Sequence, residues 1–119
     1  MLFGGARPIM PGRTERALRL ADELREHQAA YEALNARYGI RAHAMWVSHL
    51  VSGQDLWMTI YDMEPEQMAV MRTRTWDPAG SAYDRWWLEW VRDVLGVDML
   101  VHNGYAAPPE AIFEWRTPS

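Results

Sequence analysis

No cysteine occurs in this chain of 119 residues, which excludes disulfides and thiolate chemistry. No apolar run approaches the roughly 18 residues of a membrane span, so no membrane role is expected. Basic residues are in deficit: 12 Lys and Arg against 16 Asp and Glu leave a formal net charge of −4. Nucleic-acid binding requires a basic face, so no nucleic-acid partner is expected. The start, Met1-Leu2-Phe3-Gly4-Gly5-Ala6-Arg7-Pro8, lacks the charged-then-apolar layout of a secretory leader, and a cytoplasmic location is the default expectation. The signatures of nucleotide and hydrolase chemistry are missing too. There is no G-x-S-x-G, phosphate loop or dinucleotide fingerprint. Gly4-Gly5 lacks both a third glycine and a following helix start. The four histidines show no H-E-x-x-H or H-x-x-E-H spacing. His43 and His49 fall six apart on one expected strand, about 20 Å, too far to share an ion within one subunit. No metal and no cofactor is expected, although a single imidazole, His49 or His102, would suffice to hold haem.

What is abundant is large side chains: seven Trp and eight Met, within a hydrophobic fraction of 49%. That content suits one folded domain with a core of aromatic residues and flexible gap-fillers. Four of the seven tryptophans fall in residues 76–98. This stretch opens on the turn signal Asp77-Pro78-Ala79-Gly80. Ser81 then caps a helix, with Asp84 in a capping-box-like position, and Gly96 supplies a left-handed stop. Tyr83, Trp87, Trp90, Val91 and Val94 recur at three- and four-residue steps and share one face. A stripe of that size needs a sheet or helix over it.

The remainder reads as the cover. Residues 2–10 suit a short strand that tolerates Pro8 near its end. After Pro11-Gly12 the spacing predicts one helix from Arg13 or Thr14 to Tyr38, burying Ala17, Leu20, Ala21, Leu24, Tyr31, Leu34 and Tyr38. Gly39 ends it. Strands are expected over Arg41–Val51 and Asp55–Met63, joined by Ser52-Gly53-Gln54. Glu64-Pro65-Glu66 starts a short helix, the tryptophan helix follows, and Val97–His102 reads as a fourth strand. The order is βαββαβ, an α+β, ferredoxin-like arrangement. It places an antiparallel sheet under helices on one face. Residues 1–102 form the domain, and residues 103–119 are expected to be an irregular tail docking on the domain or its partner. The sheet's other face has no cover within the chain. A twofold homodimer with two sheets face to face closes it.

Three groups of residues carry a resemblance. They are Asp77-Pro78 with Tyr83-Asp84-Arg85-Trp86 and Gly96-Val97-Asp98, Phe3-Gly4-Gly5-Ala6 with Pro8 and Pro11-Gly12, and Trp46, His49, Gly53 and Asp55-Leu56 in the hairpin. Over residues 2–98 the chain resembles an uncharacterised bacterial family of the dimeric α+β-barrel superfamily. That superfamily includes cofactor-free monooxygenases, lactone isomerases, polyketide cyclases and haem-binding enzymes. The resemblance therefore implies a pocket rather than one reaction.

Leu56, Met58 and Ile60 are purely apolar and are expected to face the helices. Trp57, Thr59 and Tyr61 are amphipathic and are expected to face a cavity between sheet and partner. A flat wall with two polar handles suits a ligand. The hairpin register decides what joins them. With Val51 opposite Asp55, the set is His43, Met45, Val47 and His49; with Ser52 opposite Asp55, it is Trp46 and Ser48. The expected ligand-binding residues are Trp46, Trp57, Thr59 and Tyr61, and the expected catalytic pair is His49 and Tyr61, with His43 as a further acid–base candidate. His27 is expected on the solvated side of the first helix, inert. Asp84 is expected to serve the helix start, Arg85 to pair with a carboxylate or, as the alternative, to reach a ligand anion, and Asp98 to close a similar pair. Two functions fit. One is binding of a small apolar or aromatic metabolite, extending to cofactor-free oxygenation, isomerisation or cyclisation. The other is a non-catalytic dimeric binding or structural protein.

Overall fold

The computed structural model describes residues 1–101, 113, 115, 117 and 118. Three strands, β1 (Leu2–Pro8), β2 (Ala42–His49) and β3 (Asp55–Asp62), form one antiparallel sheet in the order β1-β3-β2. Between β1 and β2 lie α1 (Thr14–Leu18), α2 (Leu20–Arg25) and α3 (Gln28–Arg37); after β3 come α4 (Pro65–Arg72) and α5 (Ala82–Leu95). The fold is a mixed α+β arrangement with β3 between two strands that run parallel to each other. Residues 97–101 form no strand: Asp98 Oδ1 accepts from the Leu100 N–H (3.1 Å), and the Val101 N–H donates to the Asp98 carbonyl (3.1 Å). An aspartate that captures the backbone ahead of it turns the chain instead of extending it. Asp98 therefore closes a turn, and it forms no ion pair among the described residues. His102 and nearly all of the expected docking tail lie outside the described residues.

The single helix expected over residues 14–38 is three. It breaks at Arg19 and at Glu26–His27, where i→i+3 bonds replace helical ones: Arg19 N to Arg16 O (3.1 Å) and His27 N to Leu24 O (2.8 Å). Residues 14–38 contain neither Gly nor Pro, so the cause is tertiary. The bends wrap the chain over the sheet and let Arg16 meet Glu23 (3.0 Å), Glu89 (2.6 Å) and Asp93 (2.8 Å), joining α1, α2 and α5.

The helix α5 matches its sequence signals. Ser81 Oγ accepts from the Asp84 N–H at 3.1 Å, and Gly96 stops the helix at φ +70°. Trp90, Val91 and Val94 are buried and pack with Ile9, Ala17, Leu20 and Trp57. A second cluster gathers Tyr38, Met63 and Met68, with Phe3 and Tyr61 against it.

The sheet is turned over relative to expectation. Trp57 packs on Trp87 and Trp90 of α5, at 6.3 and 6.0 Å between ring centres, so Trp57, Thr59 and Tyr61 face the helices. By alternation Leu56, Met58 and Ile60 face outward. Polarity does not assign the faces, because the inward set of Trp57, Thr59 and Tyr61 is the more polar of the two. Volume does, because only a large ring fills the space under Trp87 and Trp90. The hairpin loop is Val51–Gly53, with Gly53 at φ +92° and its N–H donating to the Leu50 carbonyl (3.0 Å). Pairing thus sets His49 opposite Asp55 and His43 opposite Tyr61. Neither expected register is observed, but the parity is that of the first. His43, Met45 and Val47 therefore share the inner face, and Trp46 does not.

Candidate functional site

The helix α3 presents Tyr31, Leu34 and Asn35 at three- and four-residue steps, one face of a helix. That face looks down on the paired ends of β2 and β3. There the His43 ring lies flat on Tyr61, with centres 4.0 Å apart and planes 9° apart. His43 Nδ1 is 2.6 Å from the Tyr31 hydroxyl, and Nε2 is 2.9 Å from Thr59 Oγ1. Burial pushes the His43 pKa down to about 4, so the ring is neutral at pH 7 and has one N–H and one lone pair. The phenol is the more acidic of the two hydroxyls. Tyr31 is assigned as the donor to Nδ1, and Nε2–H then donates to Thr59. Burial also raises the Tyr61 phenol to about 12.

From the other side α5 brings Tyr83, Trp86 and Trp87. Trp86 stacks on His27 (4.8 Å, 19°) and its indole N–H donates to Glu23 (3.2 Å). His27 is therefore a packing partner, not an idle surface residue. The segment after α4 adds Arg74, whose guanidinium lies 4.1 Å from the centre of the Trp76 ring and donates to Asp84. Asp84, 4% exposed, also accepts from the Asp77 N–H (2.9 Å). Arg85 donates to the Pro78 carbonyl (3.2 Å); the carboxylate pairing expected of it belongs to Arg74. Asp84 contributes its N–H to the Ser81 cap, while its carboxylate serves Arg74 and the turn.

These groups enclose a cavity of about 160 Å³ between the sheet and the helices. An engineered apolar cavity of about 150 Å³ holds one benzene ring, so the space suits a single ring. Among the described residues no Asp or Glu lines it, whereas Arg72 and Arg74 do.

The expected site residues are dispersed. Tyr61 lines the cavity, and Thr59 reaches it through His43. Trp57 shares their face but is buried in the adjoining core. Trp46 is 42% exposed on the outer face. His49 sits at the opposite end of the hairpin, its Nδ1 2.7 Å from Asp55 Oδ1, while the Thr14 hydroxyl donates to Oδ2 (2.6 Å). It lies six positions from His43 along the strand, about 20 Å, so His49 and Tyr61 do not meet. Among the described residues no cluster of three or more His, Asp or Glu is placed to hold a metal. Sequence reasoning missed Tyr31, Asn35, Trp86 and Arg74 as site residues. The helical spacing of Tyr31, Leu34 and Asn35 was the available signal, but it reads equally well as core.

His43 yields a direct pH test. The unfolded imidazole takes a proton near 6.5, whereas the folded one resists until about 4. Its burial is therefore without penalty above pH 6.5 and is destabilising as pH falls toward 4, at about 1.4 kcal/mol per unit and about 3 kcal/mol in all. Urea unfolding of wild type and His43→Gln across this range should give a stability difference that moves against wild type by that amount. A flat difference would show that His43 protonates in place.

No protein-family model, curated protein or solved structure matches the chain.

Proposed function

We propose that the protein binds a small molecule carrying one aromatic ring in the cavity between its sheet and its helices. The observation that carries this reading is the cavity itself: one ring in size, walled by aromatic and aliphatic side chains, with a neutral imidazole fixed by two hydroxyls. Ligand sites combine apolar walls with a few oriented polar groups in this way. Recognition is favoured over turnover, because general bases work best with pKa values near the operating pH and His43 lies well below it. His49 and Asp55 have the arrangement of a base and its orienting carboxylate, but they lie away from the cavity. The test is thermal unfolding with increasing phenol or toluene, since a ligand bound to the native state raises the midpoint. Wild type should be stabilised in a saturable manner. Leu34→Phe, which places a ring in the cavity, should weaken binding at least tenfold. Equal stabilisation of both proteins would place the ligand elsewhere.

The reading includes a homodimer formed through the outer sheet face. Ala44 and Trp46 of β2 are exposed there, beside the outward set Leu56, Met58 and Ile60, and no charge interrupts these positions. An uncharged face of this kind suits a second copy related by a twofold axis. Sedimentation at micromolar concentration should report twice the monomer mass, and Met58→Glu should return the monomer. A wild-type monomer at high concentration would refute the pairing.

A further inference from the structure

We infer that the ligand of this cavity is a hydroxylated aryl anion: one ring, a hydroxyl directed at Asn35 and an acidic substituent at Arg72. The inference rests on the cavity being a ligand site and specifies what the site takes. Asn35 lines the cavity beside Tyr31 and Leu34, and its Oδ1 is buried with no hydrogen-bond partner among the described residues. Buried polar atoms are seldom left so, and an apolar ring alone would leave this one unmatched. A hydroxyl matches it in either orientation of the amide, since it both donates and accepts.

The anion follows from charge. Among the described residues the lining contains two arginines and no carboxylate, in a protein whose net charge is −4. Arg74 is already held by Asp84 and Trp76. The Arg72 side chain makes no ion pair or hydrogen bond among the described residues, and the residue is exposed and lines the cavity. An acidic substituent beside it would keep part of its hydration. A planar guanidinium is well matched to a carboxylate.

Four probes separate the contributions: toluene, phenol, benzoate and 4-hydroxybenzoate, titrated calorimetrically into the intact protein, Asn35→Leu and Arg72→Gln. In wild type the hydroxyl should improve affinity about tenfold, and the carboxylate about threefold, as expected of a partly exposed pair. Asn35→Leu should abolish the first gain and keep the second; Arg72→Gln should do the reverse. Toluene binding as tightly as 4-hydroxybenzoate, or gains that survive both substitutions, would overturn the inference and leave the cavity as an apolar site. Failure of all four probes to bind would overturn the cavity reading as well.

Discussion

Replacing Trp90 by Ala is expected to cost about 3–5 kcal/mol, the range for removing a large buried aromatic side chain. Trp90 is 0% exposed. It stacks on Trp87 (5.1 Å, 5°) and meets Trp57 edge-on, so its loss opens a void at the one point where α5 and β3 touch through three indoles. That void cannot collapse easily, because Trp87 also walls the cavity and Trp57 is fixed in the strand. Trp90→Phe should cost much less. The Trp90 indole N–H is buried without an acceptor, and Phe removes that unmatched donor while keeping most of the ring. Urea unfolding should show a large fall in midpoint for Ala and a small one for Phe. A fully stable Trp90→Ala protein would mean that α5 is not the anchor.

The second large effect is expected at Asp84. Its carboxylate and Arg74 form an ion pair that is nearly buried, with side chains 6% and 14% exposed. Removing one partner leaves an uncompensated buried charge, which typically costs about 3–5 kcal/mol. Asp84→Ala should reach that range, because Asp84 also accepts the Asp77 N–H that shapes the turn before α5. The double variant Asp84→Leu with Arg74→Met should be less damaging than Asp84→Ala alone, since no charge is left stranded. Additive losses would show that the two groups act independently. Asp84→Ala should also weaken ligand binding, because the pair holds Arg74 against Trp76 at the cavity wall.

Sequence periodicity carried α5, α4 and the three strands because each has a local cause. Ser81, Gly96 and Pro65 mark helix ends, and Gly53 marks the hairpin. The breaks at Arg19 and His27 have no such cause; they come from the Arg16 ion pairs and from the stacking of His27 on Trp86. The face assignment failed for a different reason. The more polar set of β3 faces the core, against the usual contrast, and Trp57 turned inward because of the volume available beneath α5. That inversion moved the site. Tyr61 lines a cavity and Thr59 holds the His43 beside it, but that cavity is roofed by Tyr31, Trp86 and Trp87 rather than by a second sheet. Trp46 and His49 were left outside it. Residues that build a ligand wall and a core share the same helical spacing, so Tyr31 and Trp87 were legible as buried without being legible as a site.

The location of the ring is tested most directly by the indole N–H signals of the seven tryptophans. Each reports from a known place in the fold, and a two-dimensional ¹H–¹⁵N spectrum records them together during a titration with phenol. The cavity account predicts saturable shifts at Trp86 and Trp87, with Trp46 unmoved. Saturable shifts at Trp46 with Trp86 and Trp87 unmoved, or no saturable shift at any indole, would contradict it.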